Sequence, residues 1–390
     1  MVESPYAVMA VLTGIAALFF WLEKATGWKL FRYLIPLIWI YATPMVLTNV
    51  GFLPSSSPAY DVLRHYGLPI VIVWLLLSVD VGAAVRIMGR GIAVMLLGTA
   101  GIVLGAPVGY FAVHWWLEEN AWTGFGALAG SWIGGTGNLA AAAAALGTPP
   151  DQFGLAVLAD SAVYVVWLPL LLASKSFADR FNRWTRVSED RLVRMEEAAA
   201  AEIEEEVSPD TRQVLYLLAI GFGATWFAQW LAPQLPEISL GGEVVISTST
   251  WVVLLVTTIG IALSFTKAKE LPGSHDLAMG VLYVFVARMG AVASLEGLTQ
   301  APAFLAGAFI WIGVHGLFCL AGAWLFRVDV HSAAIASAAN VGGAASAPVV
   351  AAHHRESLVP ASILMALLGY AMGNYLAILT GHLCRLVGGG

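Results

Sequence analysis

The sequence predicts an all-α, polytopic membrane protein built from two inverted five-span repeats. Each repeat carries a Gly-rich, broken-helix segment that enters the bilayer and returns to the same face. Three observations support this prediction. Of 390 residues, 59% are hydrophobic and only 11% are charged, and the mean hydropathy is +0.79; a soluble domain carries about 25% charged residues. The Lys and Arg residues, 19 in all, fall almost wholly on one side of the resulting topology. Finally, two small-residue segments interrupt long apolar runs where Leu and Val would otherwise dominate: SWIGGTGNLAAAAAALG (131–147) and AIASAANVGGAASAPVVAA (334–352).

About 20 apolar residues span the hydrocarbon core. Stretches of roughly that length lie at about 5–22, 30–50, 65–84, 91–117 and 152–175. They recur at about 212–232, 243–266, 276–294, 301–326 and 357–384. The first is read as a span rather than a signal peptide, because it lacks a basic leader and a small-residue cleavage site. Trp115 and Trp116 suit an interfacial aromatic belt. Trp39, Tyr41, Trp226 and Trp230, in the early spans of each half, suit either a rigid scaffold or a lipid-facing surface. The charged stretch 176–211 divides repeats over 1–175 and 212–390. It is basic first (Arg180, Arg183, Arg186, Arg191, Arg194), then acidic (Glu196, Glu197, Glu202, Glu204, Glu205, Glu206). It reads as a solvated, partly helical connector.

Cytoplasmic loops are enriched in Lys and Arg. With the N-terminus outside and both Gly-Gly segments re-entrant, every Lys and Arg is cytoplasmic except Arg64, Arg385 and the intraspan Arg288. If both segments crossed fully, the basic residues of 175–212 would move opposite those of 24–32 and 86–90. The re-entrant arrangement is therefore expected, with both termini outside and the connector cytoplasmic, in a plasma (inner) membrane. An odd number of spans per half makes the halves inverted. Aligning Gly134-Gly135 with Gly342-Gly343 gives an offset of 208, which also pairs Asp80 with Arg288 and Trp167 with Tyr375.

The segments GSWIGGTGNLAAAAAALG and AANVGGAASAPVVAA resemble those of the YjcL-like family, membrane proteins of unknown function, and the likeness covers essentially the whole chain. More distantly, the layout is similar to that of sodium-coupled glutamate symporters and 2-hydroxycarboxylate transporters. Those families have two inverted five-span halves, each with a Gly-Gly-x-Gly loop, and a cytoplasmic linker. Gly134-Gly135-Thr136-Gly137 matches that loop in full, whereas Gly342-Gly343-Ala344-Ala345 keeps its first two glycines. The resemblance implies an elevator-type, sodium-coupled, homodimeric carrier.

Helix ends that meet at a Gly-Gly tip leave backbone N–H and C=O groups in need of partners. Irregular backbone persists in a membrane only where protein buries it or it lines a cavity. Two such segments in matching places point to a substrate site. The expected substrate contacts are Gly134, Gly135, Thr136 and Asn138 at the first tip. Those at the second are Asn340, Gly342, Gly343 and Ser346. The alternative for each is close helix packing, which also selects small polar residues. Ser131, Asp160, Ser337 and Asn374 are the expected cation ligands. Asp160 lies inside the fifth span, where a carboxylate marks a pathway or an ion pair. Asp80 and Arg288 are expected to form a structural pair across the pseudo-twofold axis. Arg288 as the anchor of an anionic substrate is the sharper alternative, and Glu296 is a second candidate partner for it. His114 and His315 read as buried neutral imidazoles rather than proton relays. Adjacent residues on a helix do not face one another, so His353-His354 is not expected to bind metal.

Together these features predict a secondary transporter, Na⁺- or H⁺-coupled, that symports a small anionic organic solute by alternating access. The expected partners are the solute, the lipid bilayer and a second copy of the chain, with Na⁺ as coupling ion and no organic cofactor. Cys319 and Cys384 give no disulfide framework. The net charge of −6 gives no footing for nucleic acid. No HExxH or P-loop motif is present, so no enzymatic activity is expected. The alternatives are a channel, which needs a continuous polar pore, and, more remotely, an intramembrane enzyme built on paired aspartates.

Overall fold

The computed structural model describes residues 2, 4–28, 31, 36–79, 89–187, 208–240, 243–293 and 299–389. In the first half, α1 (Pro5–Thr26) starts on a Pro and ends at Gly27 in the left-handed region, φ 58°. A proline fits the first helical turn, and glycine fits the left-handed end. It is followed by α2 (Pro36–Asn49) and α3 (Pro58–Leu77), the latter with a π-helical turn at Leu63–Gly67. Next come α4 (Arg90–Val113), α5 (Ala121–Leu146), α6 (Pro150–Ala173) and the short α7 (Ala178–Thr185). In the second half, α8 (Thr211–Leu231) opens on a capping box between Asp210 and Gln213. A two-stranded antiparallel hairpin, β1 (Ile238–Leu240) and β2 (Glu243–Ile246), precedes α9 (Thr248–Ser264). The chain ends with α10 (Ser274–Ala291), α11 (Ala301–Phe326), α12 (Val330–Val341), α13 (Gly343–His354) and α14 (Val359–Val387).

The protein is thus nearly all-helical, and the β-hairpin is a departure from the expected all-α fold. Among the described residues, seven helices are long and apolar enough to cross a membrane, where the sequence predicted ten spans. The other three predicted spans correspond to α2, α9 and α10, of 14, 17 and 18 residues. The start of α9 lies later than expected because Ile238–Leu240 pairs with Glu243–Ile246 and Ser247 caps the helix through Thr250 N. The acidic part of the connector lies outside the described residues.

Displaced by 208 residues, the starts of α1, α4, α5 and α6 fall within three residues of those of α8, α11, α12 and α14. The packing recurs as well: α2 lies against α10 as α9 lies against α3, and α1 meets α2 as α8 meets α9. At the centre, α4 crosses α11 through a row of glycines. A Cβ on Gly101 would sit 2.6 Å from Phe318 Cβ, and one on Gly105 would sit 2.7 Å from Trp311 Cδ1. Small residues of this kind let membrane helices approach closely. Trp311 donates to Ile102 O at 2.8 Å and packs on Trp132, with ring centroids 4.4 Å apart.

Both Gly-Gly segments fold back on themselves. In α5 the helical angles fail at Gly134 (φ −138°, ψ 15°) and Gly135 (φ 76°, ψ −173°). The two halves of α5 then lie antiparallel: Thr148 Oγ1 donates to Thr123 O at 3.2 Å, and Gly126 and Gly130 face Leu146 and Asn138. In the second segment, α12 stops at Gly342 and α13 begins at Gly343, φ 58°. The first turn of α12 meets the last turn of α13, with His331 Nδ1 and His354 Nδ1 3.0 Å apart. His354 Nε2 donates to Leu171 O at 2.9 Å, so its Nδ1 is the acceptor for His331.

Candidate functional site

The two breaks meet in the interior. A Cβ on Gly343 would lie 3.4 Å from Gly135 Cα, so the tips of the two hairpins touch backbone to backbone. The hairpins are held unequally. The α5 hairpin is packed tightly along α14, where Gly369, Gly373 and Gly381 admit Ile133, Asn138 and Gly126. The corresponding contact of α6 with α12 and α13 is sparse. That difference leaves a cavity of about 280 Å³ beside the tips, near the lower end of the usual range for small-molecule sites.

The tips supply Ser131, Gly135, Thr136, Gly342 and Ser346 to the cavity wall, and α6 supplies Asp160, Ser161 and Tyr164. The wall continues through Tyr283 of α10 to Phe20 and Glu23 at the end of α1 and Leu37 at the start of α2. Asp160 Oδ1 is enclosed and, among the described residues, makes no hydrogen bond; Ser161 Oγ is in the same state. Ser131 and Trp132 are the polar neighbours of the Asp160 carboxylate. The hydroxyls of Tyr164 and Ser346 interact across the gap between α6 and α13. Buried polar atoms are normally paired, and exceptions mark strain, catalysis or a site for an ion or ligand.

A chain with this architecture has relatives that match its full length. A family model described as "Protein of unknown function (DUF819)" matches residues 10–387. The chain belongs to the DUF819 family. It is also 28% identical over 388 residues to the uncharacterized membrane protein YjcL of Bacillus subtilis (strain 168), an alignment covering 96% of this chain and 93% of that protein. The resemblance to the YjcL-like family is thereby established, and this DUF819 chain is an integral membrane protein.

Of the predicted site residues, the DUF819 structure brings Ser131, Gly135, Thr136, Asp160, Gly342 and Ser346 to one cavity. Gly134 and Gly343 form the breaks behind them. The remaining predicted residues occupy other places. Asn138 is buried against α14, donating to Tyr370 O at 3.0 Å. Asn340 is fully buried against α4, donating to Met95 O at 3.1 Å and accepting from Thr99 Oγ1 at 3.3 Å. Asn374 donates to Thr257 Oγ1 at 2.7 Å, joining α14 to α9. Ser337 accepts from Trp167 Nε1 at 2.9 Å and lies 2.9 Å from His315 Nε2. Arg288 sits in the last turn of α10, in the field of Asp61, Tyr60 and Arg64, and is not part of the cavity wall. Asp80 and Glu296 lie outside the described residues, so the predicted pairing with Arg288 falls there too. Sequence reasoning missed Tyr283, Phe20 and Glu23. They come from spans with no motif of their own, and no local pattern marks them.

Proposed function

We propose that this DUF819 protein is a secondary transporter that moves a small organic solute by alternating access, with a coupling cation at Asp160. The observation that carries this reading is the meeting of Gly135 and Gly343 beside a cavity that holds a carboxylate with an unpartnered oxygen. Discontinuous helices meeting near mid-membrane are the usual construction of a transporter site. In this reading each folded-back segment is re-entrant and the two halves form an inverted repeat. The segment following each break starts a new helix, at Thr136 and at Gly343. Helix N-termini favour anionic groups, so an anionic group of the solute is assigned to the tips. Ser131 and Asp160 offer oxygen ligands to Na⁺, the coupling ion of the proposal. The cavity runs toward the α1–α2 end, where basic-residue counting puts the cytoplasm, so the molecule faces inward.

The test uses purified full-length protein. Na⁺, compared with choline, should raise its melting temperature, and an imposed Na⁺ gradient should drive uptake of small carboxylates into proteoliposomes. Asp160→Asn should abolish both effects while retaining a folded, monodisperse protein. If neither Na⁺ nor pH alters stability or flux in the wild type, the transporter reading fails. A response to pH with none to Na⁺ replaces Na⁺ by the proton.

A further inference from the structure

A second cavity, remote in character from the first, lies between α6, α7, α11 and α12. Its volume is about 260 Å³, and its wall is almost entirely apolar, formed by Leu170, Leu171, Phe181, Leu320, Ala333 and Ala334. At its inner end the polar atoms are already paired: Trp167 Nε1 donates to Ser337 Oγ, and Ser337 lies within hydrogen-bond distance of His315. The wall therefore offers an occupant contact surface without hydrogen-bond partners. Leu170 and Leu320 are 56% and 46% exposed, so the cleft opens sideways on the surface of spans α6 and α11. On an integral membrane protein that surface is the hydrocarbon of the bilayer.

The end of the cleft is covered by α7, an amphipathic helix held in place by Asn182 Oδ1, which accepts from Val330 N at 3.0 Å. Phe181 of α7 faces the cleft, and Phe177 and Trp184 are exposed beside it. The shallower hollow that α7 forms with Leu320 shares Phe177 and Phe181 with the cleft and adds Arg180. Arg180, Arg183 and Arg186 are exposed along and just after α7, with Lys175 at its approach; Asp179 is the one acidic side chain of the helix. Aromatic residues and arginines on a short amphipathic helix are the pattern of an interfacial helix bound to anionic lipid.

From this continuity of an apolar slot and a basic rim we infer that the cleft binds one acyl chain of an anionic phospholipid, whose phosphate is held by Arg180 and Arg183. The chain enters between Leu170 and Leu320, and the headgroup remains at the level of α7. This site is independent of the cavity at the helix tips and of the transport reading.

The test is retention of lipid by detergent-purified full-length protein, followed by native mass spectrometry and thermal melting. Dioleoyl phosphatidylglycerol and dioleoyl phosphatidylcholine, which share acyl chains, are the probes. The wild type should retain one phosphatidylglycerol per chain and melt higher with it, with little response to phosphatidylcholine. Arg180→Ala with Arg183→Ala should weaken that preference by roughly 5-fold for each charge removed, the effect of about one interfacial basic contact apiece. Ala334→Trp should fill the slot and eliminate retention. If that variant does not fold, Leu320→Trp, at the exposed mouth, tests the same entry. Equal retention of the two lipids, or retention unchanged in the arginine or slot variants, means annular lipid only and overturns the inference.

Discussion

Gly135 carries the sharpest local demand in the chain. Its φ of 76° with ψ of −173° is a combination open essentially to glycine alone. A Cβ there would also stand 3.1 Å from Tyr370 Cε1. Gly135→Ala is expected to destabilise the protein by about 1–3 kcal/mol, lowering the melting temperature. Gly147 also has positive φ, 63°, but open space around it. Gly147→Asn should therefore have little effect in the same measurement, because Asn tolerates the left-handed region. Asn138 and Asn340 show where residue-level reading reaches its limit. Both lie in the small-residue segments and offer oxygens, which made them candidate ligands. Their amides instead reach backbone carbonyls of Tyr370 and Met95, partners 232 and 245 positions away in sequence. No local pattern encodes such a partner. Asn138→Leu removes this interhelical hydrogen bond and should destabilise by about 0.5–1.5 kcal/mol, an effect seen in melting with or without Na⁺.

At the level of elements, the glycine spacing of α4 went unread in the sequence and gained its meaning only from the structure. Gly98, Gly101, Gly105 and Gly109 recur every three or four residues and form the face of α4 that meets α11. Gly105→Val should force Trp311 and Val314 apart, at a penalty of about 1–3 kcal/mol for overpacking. The readout is loss of a monodisperse, cooperatively melting protein. The breaks in α5 and between α12 and α13 fall at the Gly-Gly pairs named from sequence. The clasp that closes the second hairpin was not legible. It joins His331 to His354, whereas the sequence drew attention to the adjacent His353-His354. His354→Leu should leave His331 Nδ1 without its partner and destabilise by about 1–3 kcal/mol, measurable as a lower melting temperature.

For the whole molecule, the 208-residue offset was visible in two short motifs and extends to the element boundaries. Composition alone established the membrane setting. The cavity wall beyond the tips was not readable, because Tyr283, Phe20 and Glu23 are brought there by packing between distant spans. The proposed topology makes a direct prediction. Glu23→Cys should react with a membrane-impermeant thiol reagent only from the cytoplasmic side, and Asn120→Cys only from the opposite side. Cys319 and Cys384 are buried and can be replaced beforehand. Labelling of both positions from one side would refute the arrangement.

The unequal grip on the two hairpins has an origin in composition. Gly369, Gly373 and Gly381, the glycines through which α14 receives the α5 hairpin, fall on Ser161, Val165 and Ala173 of α6 when displaced by 208 residues. The side chains on α6 hold the second hairpin at a distance that α14 does not impose on the first. The two halves are thus alike in path but not in clearance. In the transport cycle proposed above, the close seat that α14 gives the α5 hairpin would have no counterpart on α6, because the glycines that make it are absent there.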